Sequence, residues 1–113
     1  MNLDELQQTA DAAERLLKAM ASRPRLMILC ELLKGERTVT ALQQEVGLRM
    51  SAMSQHLARL RADQLVSTRR ESQTIHYSIT SAPAKTLIAT LYDLYCSPAH
   101  DKDQRRLKLE KIS

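Results

Sequence analysis

Residues 38 to 79 decide the fold, and they read TVTALQQEVGLRMSAMSQHLARLRADQLVSTRRESQTIHYSI. The first part predicts a helix that ends at Gly47, with an apolar stripe from Val39 to Val46 that only Gln43 interrupts. A turn through Gly47 leads to a second helix. The buried face of that helix is predicted from apolar residues at positions i, i+4 and i+7, which are Met53, Leu57 and Leu60. The two helices are therefore expected to pack against each other across a tight turn.

The opposite face of the second helix carries short side chains, which let a helix sit deep in the major groove of DNA. These residues are Ser51, Ser54, Gln55, Ala58 and Ala62. The Gln55 amide can pair with N6 and N7 of adenine, whereas solvated helix faces more usually carry Lys and Glu. We therefore interpret this helix as a DNA recognition helix. The alternative is a solvated face that happens to lack charge.

A β-hairpin is predicted directly after the recognition helix. Residues 66–70 and 74–79 are rich in β-branched side chains and alternate between two faces. The connection, residues 71–73, lacks Gly and Asn, so we expect a three- or four-residue loop and not a two-residue turn. A hairpin in this position indicates the wing of a winged helix-turn-helix, with Arg69 and Arg70 beside its tip.

The segment GLRMSAMSQHLARLRADQLVSTRRESQTIHYSI resembles the SQHL-x-x-L-x-x-x-x-L-V core and the wing of ArsR-type bacterial repressors, and the resemblance spans about residues 10 to 97. Two positions depart from the pattern: Arg49 stands where a Ser N-cap is common, and Gln64 where a Gly commonly ends the recognition helix. Each departure costs about 1 kcal/mol, so neither excludes the fold. The resemblance implies a dimeric repressor whose first and last helices pair across a two-fold axis.

Helices are also predicted on both sides of this central stretch. An amphipathic stripe predicts a first helix from Leu3 to Met20, and a second helix begins after Ser22 and ends at Gly35. The predicted buried face of the second helix is Leu26, Leu29, Cys30 and Leu33. A last helix over residues 84–95 has an apolar arc too wide for one contact. The fold class is therefore mainly α with a small β-hairpin: about five helices plus a wing, forming a homodimer through the first and last helices.

The 113-residue chain is expected to form one domain over residues 1–97, followed by a charged, mobile tail over residues 98–113. Of the net charge of +4, residues 47–79 contribute +3 through five Arg and two acidic residues. This surplus lies where DNA phosphates would be. No run of 18 apolar residues and no signal peptide is apparent, so we expect a cytoplasmic protein without membrane contact.

Double-stranded operator DNA is the expected partner, and the candidate contact residues lie on the recognition helix and the wing. They are Ser51, Ser54, Gln55, His56, Arg59, Arg69, Arg70 and Gln73. His56 is interpreted as a histidine at the edge of the core or a phosphate contact, because the three histidines are too scattered to form a metal site.

No enzymatic or metal chemistry is predicted. Gly occurs only at positions 35 and 47, so there is no phosphate loop or dinucleotide motif, and we expect neither catalytic residues nor a cofactor. Metal sensors of the ArsR family carry a Cys-x-Cys pair before the recognition helix or a His/Asp-rich last helix, and this sequence has neither. Two thiols are too few for a closed zinc site, which needs four ligands.

Cys30 and Cys96 are the only cysteines of the chain. From the residues alone, each could be a buried structural thiol, and a permanent disulfide is not expected in the cytoplasm. Their places in the second helix and at the end of the last one resemble the dithiol of the persulfide-responsive branch of ArsR-type repressors, the BigR, SqrR and HlyU group. The resemblance implies that reactive sulfur species cross-link Cys30 to Cys96 and release DNA. We expect Cys30, close in sequence to Arg23 and Arg25, to be the attacking thiolate.

Three other functions fit parts of the sequence. One is a metal-responsive ArsR-type repressor. Another is a winged helix that associates with proteins and has structural cysteines; its complexes would depend on neither DNA nor salt. The third, a small thiol oxidoreductase, would more usually show a Cys-x-x-Cys motif at a helix start, which is absent.

Overall fold

The computed structural model describes residues 1–96 of the chain. The elements in chain order are α1 Leu3–Met20, α2 Arg23–Leu33, β1 Arg37–Thr38, α3 Val39–Val46, α4 Met50–Ala62, β2 Val66–Glu71, β3 Thr74–Ile79 and α5 Ala82–Tyr95. Helices α3 and α4 form a helix-turn-helix, and β2 and β3 form the wing. The predicted winged helix-turn-helix, mainly α with a small hairpin, is confirmed. The expected tail, residues 98–113, lies outside the described residues.

The predicted helix boundaries between α2 and α4 are confirmed, and their causes are local. The Ser22 hydroxyl accepts a hydrogen bond from the N–H of Arg25 at 3.4 Å, and Pro24 lies in the first turn, where no N–H partner is needed. Helix α3 ends at Gly47, whose φ of +77° is left-handed. Helix α4 begins after Arg49 without a side-chain cap, as expected from the loss of Ser at this position.

The C-terminal end of α4 is closed by two backbone hydrogen bonds. The N–H of Leu65 donates to the carbonyl of Leu60 at 2.9 Å, and the N–H of Gln64 donates to the carbonyl of Arg61 at 3.0 Å. This is a Schellman motif, which requires a left-handed residue, and Gln64 has a φ of +62°. The sequence-based expectation that Gln64 takes the position usually given to Gly is confirmed.

One hydrophobic core joins the helices to the wing. Its buried residues are Ala19, Met20, Ile28, Leu29, Leu32, Leu42, Val46, Met53, Leu57, Leu60, Leu65, Val66, Ala84 and Ile88. The predicted inner face of α4 is confirmed, and the predicted buried face of α2 is confirmed only in part. Leu29 is buried as predicted, whereas Leu26, Cys30 and Leu33 are only partly buried. Ile28 and Leu32 are also buried and were not predicted. Helix α2 is covered from more than one side, so a single stripe underestimates its buried arc.

The sheet has three strands in the order β1-β3-β2, all antiparallel. The two-residue strand β1 was not predicted, because two residues are too short for an alternating pattern. The predicted longer loop at the wing tip was wrong: Glu71 pairs with Thr74, which leaves a two-residue connection. Ser72 accepts the left-handed conformation that this turn needs, with a φ of +56°, and its carbonyl accepts a hydrogen bond from Arg70 Nε at 3.0 Å.

Apolar side chains on α1 and α5 are exposed on the single chain. Helix α1 reaches the core mainly through its last turn, so that Leu3 is 69% exposed and Leu17 is 55% exposed. Helix α5 buries Ala84 and Ile88, but Tyr95 near its end is 65% exposed. Large apolar side chains that are exposed to water on α1 and α5 indicate a surface for association.

Replacing Gln64 by Gly is expected to raise the free energy of unfolding by about 1 kcal/mol, because Gly adopts positive φ without strain. Urea denaturation at a fixed protomer concentration measures this change. As a control, Gln44→Gly changes an exposed residue inside α3 and should lower the free energy of unfolding by roughly 0.5–1 kcal/mol. A destabilised Gln64→Gly variant would contradict this explanation of the helix end.

Candidate DNA-binding surface and cysteine pair

The outward face of α4 carries the residues expected to read DNA. Ser51, Ser54 and Gln55 are all exposed, because Met53 and Leu57 on the other side of the helix are held in the core. None of the three exposed side chains has a charge. This face can therefore approach base edges without a competing ion pair of its own, and Gln55 supplies a two-pronged amide.

The two arginines at the C-terminal end of α4 differ in whether their charge is compensated by a carboxylate. Arg59 is paired with Asp63, with 3.5 Å between Nε and Oδ2, so part of its charge is compensated. Arg61 is exposed and lines a shallow groove between α4 and the wing together with Ser54 and Tyr77. Sequence reasoning missed Arg61. Its spacing of seven from Ser54 places both on one helical face and could have identified it.

Arg69 on β2 is bound to carboxylates. Its Nη2 donates to Glu36 Oε1 at 2.6 Å and its Nη1 donates to Glu71 Oε2 at 3.1 Å, while His76 lies 3.7 Å from Glu36. The hydrogen bond from Arg69 lowers the pKa of Glu36, and its bonds to Glu36 and then Glu71 raise the pKa of Arg69. These bonds compensate part of the Arg69 charge, so Arg69 is a weaker candidate for a phosphate contact than an arginine without an ion pair. They also link β2 to Glu36, the residue that precedes β1.

Arg70 has no such partner. Among residues 1–96 it has no carboxylate within ion-pair distance, and its Nε donates to the carbonyl of Ser72 in the turn. The rest of its guanidinium group is exposed at the wing tip beside Gln73, which is also exposed. Arg70 is thus the positive charge that the wing can present to a phosphate.

His56 lies on the flank of α4 and is partly buried. Its Nδ1 is 3.5 Å from Nη1 of Arg25, the one charged side chain in the described part of the chain that is classed as buried. The pKa of Arg25 is lowered, first by burial and then by the charge of Arg59. The sequence-based interpretation of His56 as a histidine at the edge of the core fits this position.

Cys30 on α2 and Cys96 at the end of α5 are both free thiols in the structure. Helices α2 and α5 pack against each other, and Cys30 is partly buried while Cys96 is exposed. The pKa of Cys30 is raised, first by burial, then by the charge of Cys96, then by that of Glu31. The Cys96 sulfur is therefore near enough to oppose the ionisation of Cys30.

The expectation that Arg23 and Arg25 would favour a thiolate at Cys30 was wrong. Arg25 is directed toward the end of α1 and His56, and the cation that acts on Cys30 is Lys34, whose effect is smaller than the effects that raise the pKa. A raised pKa means a smaller thiolate fraction at neutral pH. Cys96, which is exposed, is therefore the better candidate for the first attack on a sulfur donor.

Comparisons with known proteins agree with this geometry. The family described as "Bacterial regulatory protein, arsR family" matches residues 16–68. The transcriptional activator HlyU of Vibrio cholerae is 49% identical over 96 residues, covering 85% of this chain and 89% of HlyU. The chain belongs to the ArsR family. The biofilm growth-associated repressor of Xylella fastidiosa is 35% identical to this ArsR-family protein over 97 residues, covering 86% of this chain and 85% of that repressor.

Solved structures of ArsR-family regulators show the same architecture. Reduced HlyU from Vibrio cholerae has a TM-score of 0.81 and 47% identity, covering 84% of this chain and 100% of that chain. The repressor BigR from Xylella fastidiosa has a TM-score of 0.77 and 35% identity, covering 86% of this chain and 99% of that chain. The present chain is thus a winged helix-turn-helix transcriptional regulator of the HlyU and BigR type.

The described residues also show whether this part of the chain has a group that could bind a metal ion or a helix that could span a membrane. In residues 1–96, no group of three or more His, Cys, Asp or Glu side chains is arranged to hold a metal ion. No helix in this part of the chain is long and apolar enough to cross a membrane.

The two thiols of this ArsR-family protein are expected to react differently with iodoacetamide. Cys96 should be alkylated first at pH 7, and the rate at Cys30 should rise only at a higher pH than the rate of a free thiol, since its raised pKa keeps the proton bound. Peptide mass spectrometry across pH 6–10 measures both rates. In Cys96→Ser the Cys30 profile should move to lower pH but stay above that of a free thiol, because burial is the larger cause. Faster alkylation of Cys30 at pH 7 would contradict the assignment.

Proposed function

We propose that this protein is a homodimeric repressor that binds operator DNA when reduced and releases it when sulfur atoms bridge Cys30 and Cys96. The observation that carries the proposal is the placement of the two thiols on packed helices, near enough for one to shift the pKa of the other. Membership of the ArsR family and the similarity to the biofilm growth-associated repressor support the DNA-binding repressor part of this proposal. Operator DNA also implies a cytoplasmic location.

The dimer interface in this proposal is built from α1 and α5. Their exposed apolar residues include Leu3, Leu6, Leu17, Leu94 and Tyr95. A second copy would cover these groups by a two-fold contact, in which the same surface of each protomer is used. One related structure, a winged helix-turn-helix domain from Mycobacterium bovis with 31% identity, is described as homodimeric.

Each protomer would place α4 in the major groove. Gln55 can form a bidentate pair with adenine, and Ser51 and Ser54 are small enough to allow close approach. Arg70 and Gln73 at the wing tip would contact the adjacent backbone, with Arg70 neutralising one phosphate.

The switch uses an organic persulfide, R–S–S–H, as the sulfur donor. The Cys96 thiolate attacks the outer sulfur atom of one donor, an S–S bond breaks, and R–S⁻ leaves, so that Cys96 carries one extra sulfur atom. Cys30 acquires a second sulfur atom in the same way. The terminal sulfur of one cysteine persulfide then attacks the Sγ of the other, and hydrosulfide leaves. The product is a three-sulfur bridge, and the electrons balance without a further oxidant.

The bridge would tie α2 to the end of α5. Helix α2 packs against α4, and α5 belongs to the proposed dimer interface, so the link joins the DNA-reading unit to the dimer axis. A dimer reads half-sites whose centres are about 34 Å apart. A change in the angle between α2 and α5 would alter this separation and weaken both half-sites together.

Substitutions on α4 and the wing should have different effects on DNA affinity. Gln55→Ala should cost about 1–3 kcal/mol at particular base pairs, because a bidentate base contact is lost. Arg70→Ala should weaken selected and random-sequence duplexes alike and reduce the salt slope by about one unit. Fluorescence anisotropy on a duplex selected by the reduced protein, with single base-pair variants, measures both. Equal loss on all duplexes in both variants would contradict α4 as the recognition helix.

The switch predicts that both cysteines are needed for DNA release. Wild-type protein should lose the selected duplex after treatment with a persulfide donor, and intact mass should show a monomer with an internal sulfur bridge. Cys30→Ser and Cys96→Ser should each bind DNA when reduced and stay bound after treatment, and each should carry an uncrosslinked adduct. The measurement is DNA binding before and after treatment, followed by mass spectrometry of the same sample.

The double Cys-to-Ser variant is the matched control, because any effect of the persulfide donor on this variant must come from residues other than the two cysteines. Release of DNA from this variant would remove the proposed switch, as would complete release of wild type by zinc or arsenite without added sulfur. An untreated complex that depends on neither salt nor DNA would instead favour a protein-association module.

A further inference from the structure

The Arg25 side chain is 9% exposed and has no carboxylate within ion-pair distance in the described part of the chain. A buried guanidinium group must have its N–H groups satisfied, because leaving them unpaired costs free energy. Its Nε donates to the carbonyl of Ala19 at 2.7 Å, and its Nη2 donates to the carbonyl of Lys18 at 3.4 Å. Both carbonyls belong to the last turn of α1.

These contacts make Arg25 a cap for the C-terminus of α1. The last carbonyls of a helix lack partners within the helix and carry the negative end of its dipole, so a cation there is favourable. Arg25 also belongs to the first turn of α2. It therefore fixes the angle between α1, which contributes to the proposed dimer interface, and α2, which carries Cys30.

The remaining contact reaches the recognition helix and has a chemical consequence for His56. Arg25 Nη1 lies 3.5 Å from His56 Nδ1. Because a guanidinium group has donors and no acceptor, Nδ1 of His56 has to be the acceptor in this contact. On the neutral ring the proton must then be on Nε2.

We propose that Arg25 is a positioning residue for DNA binding, which joins the end of α1 to α4 and holds His56 as the tautomer with its proton on Nε2. That Nε2–H is then the donor that His56 offers to a DNA phosphate. The inference rests on the proposed DNA binding by α4, but it needs neither the sulfur bridge nor its donor. It assigns a role to a buried charge that the cysteine switch does not use.

The tautomer can be measured without DNA. ¹⁵N-labelled, reduced, full-length protein at a pH where His56 is neutral should show Nδ1 as the unprotonated nitrogen and Nε2 as the protonated one in a long-range ¹H–¹⁵N spectrum. In Arg25→Lys, which keeps the positive charge but lacks the forked geometry, His56 should become a mixture of tautomers while circular dichroism and dimer mass stay unchanged. A proton on Nδ1 in wild type would overturn the proposal.

Two replacements of His56 separate its two contacts. Asn places an amide oxygen near the position of Nδ1, so His56→Asn should keep the Arg25 contact and the melting temperature but lose the Nε2 donor. Its affinity for selected and random duplexes should fall roughly three- to tenfold alike. Gln places its amide near Nε2, so His56→Gln should keep more of the DNA affinity but melt at a lower temperature. The reverse order in both measurements would overturn the assignment of the two nitrogens.

Arg25→Lys should lower DNA affinity when it is introduced into the wild-type protein. It should have no such effect in the His56→Asn background, because that variant already lacks the Nε2 donor that Arg25 positions. Equal losses in both backgrounds would mean that Arg25 acts only through folding. If wild-type reduced protein selects no duplex at all, the proposed DNA-binding function fails. The tautomer experiment would still decide whether Arg25 orients His56.

Discussion

The structure depends on the burial of one face of α4. Met53, Leu57 and Leu60 are each at most 1% exposed, and they hold the helix against α2, α3 and the first strand of the wing. A helix fixed on one face has no freedom to rotate, so Ser51 and Gln55 must point away from the core. The orientation of the DNA-reading surface is therefore a consequence of core packing. A substitution in the core could rotate α4 and change the direction of Ser51 and Gln55 without altering either residue.

Charge counted along the sequence overstates the positive field of the wing. The surplus in residues 47–79 includes Arg69, but that side chain is bound to Glu71 and to Glu36, which comes from outside the counted segment. Exposed ion pairs of this kind contribute little to stability, yet they remove a cation from the surface available to DNA. The positive charge that can contact DNA is therefore concentrated on Arg70 of the wing and on Arg61 of α4. A local field is set by three-dimensional neighbours, which a sum over residues does not show.

The features that could be predicted from sequence are those with local causes. Helical periodicity, the Ser22 cap and the left-handed position at Gln64 each depend on a few neighbouring residues, and all three were confirmed. The features that were missed join distant parts of the chain. Strand β1, the bond from Arg69 to Glu36 and the contact from Arg25 to His56 leave no periodic signal. The tight wing turn was missed because Arg70 stabilises a Ser at a position where Gly or Asn is expected.

The cysteine pair shows why the choice of residues from a sequence does not fix their surroundings. Sequence proximity suggested that two arginines act on Cys30. Arg25, however, lies five positions from Cys30 on α2, a spacing that directs the two side chains to different faces, and Arg25 faces the end of α1. Cys30 instead shares its surroundings with Cys96 and Glu31, which oppose its ionisation. A half-buried thiol with a raised pKa reacts with a sulfur donor more slowly than an exposed thiol, because less of it is thiolate. Under the proposed mechanism Cys96 therefore acquires sulfur first and Cys30 follows, and the link between α2 and α5 forms only when both thiols have reacted.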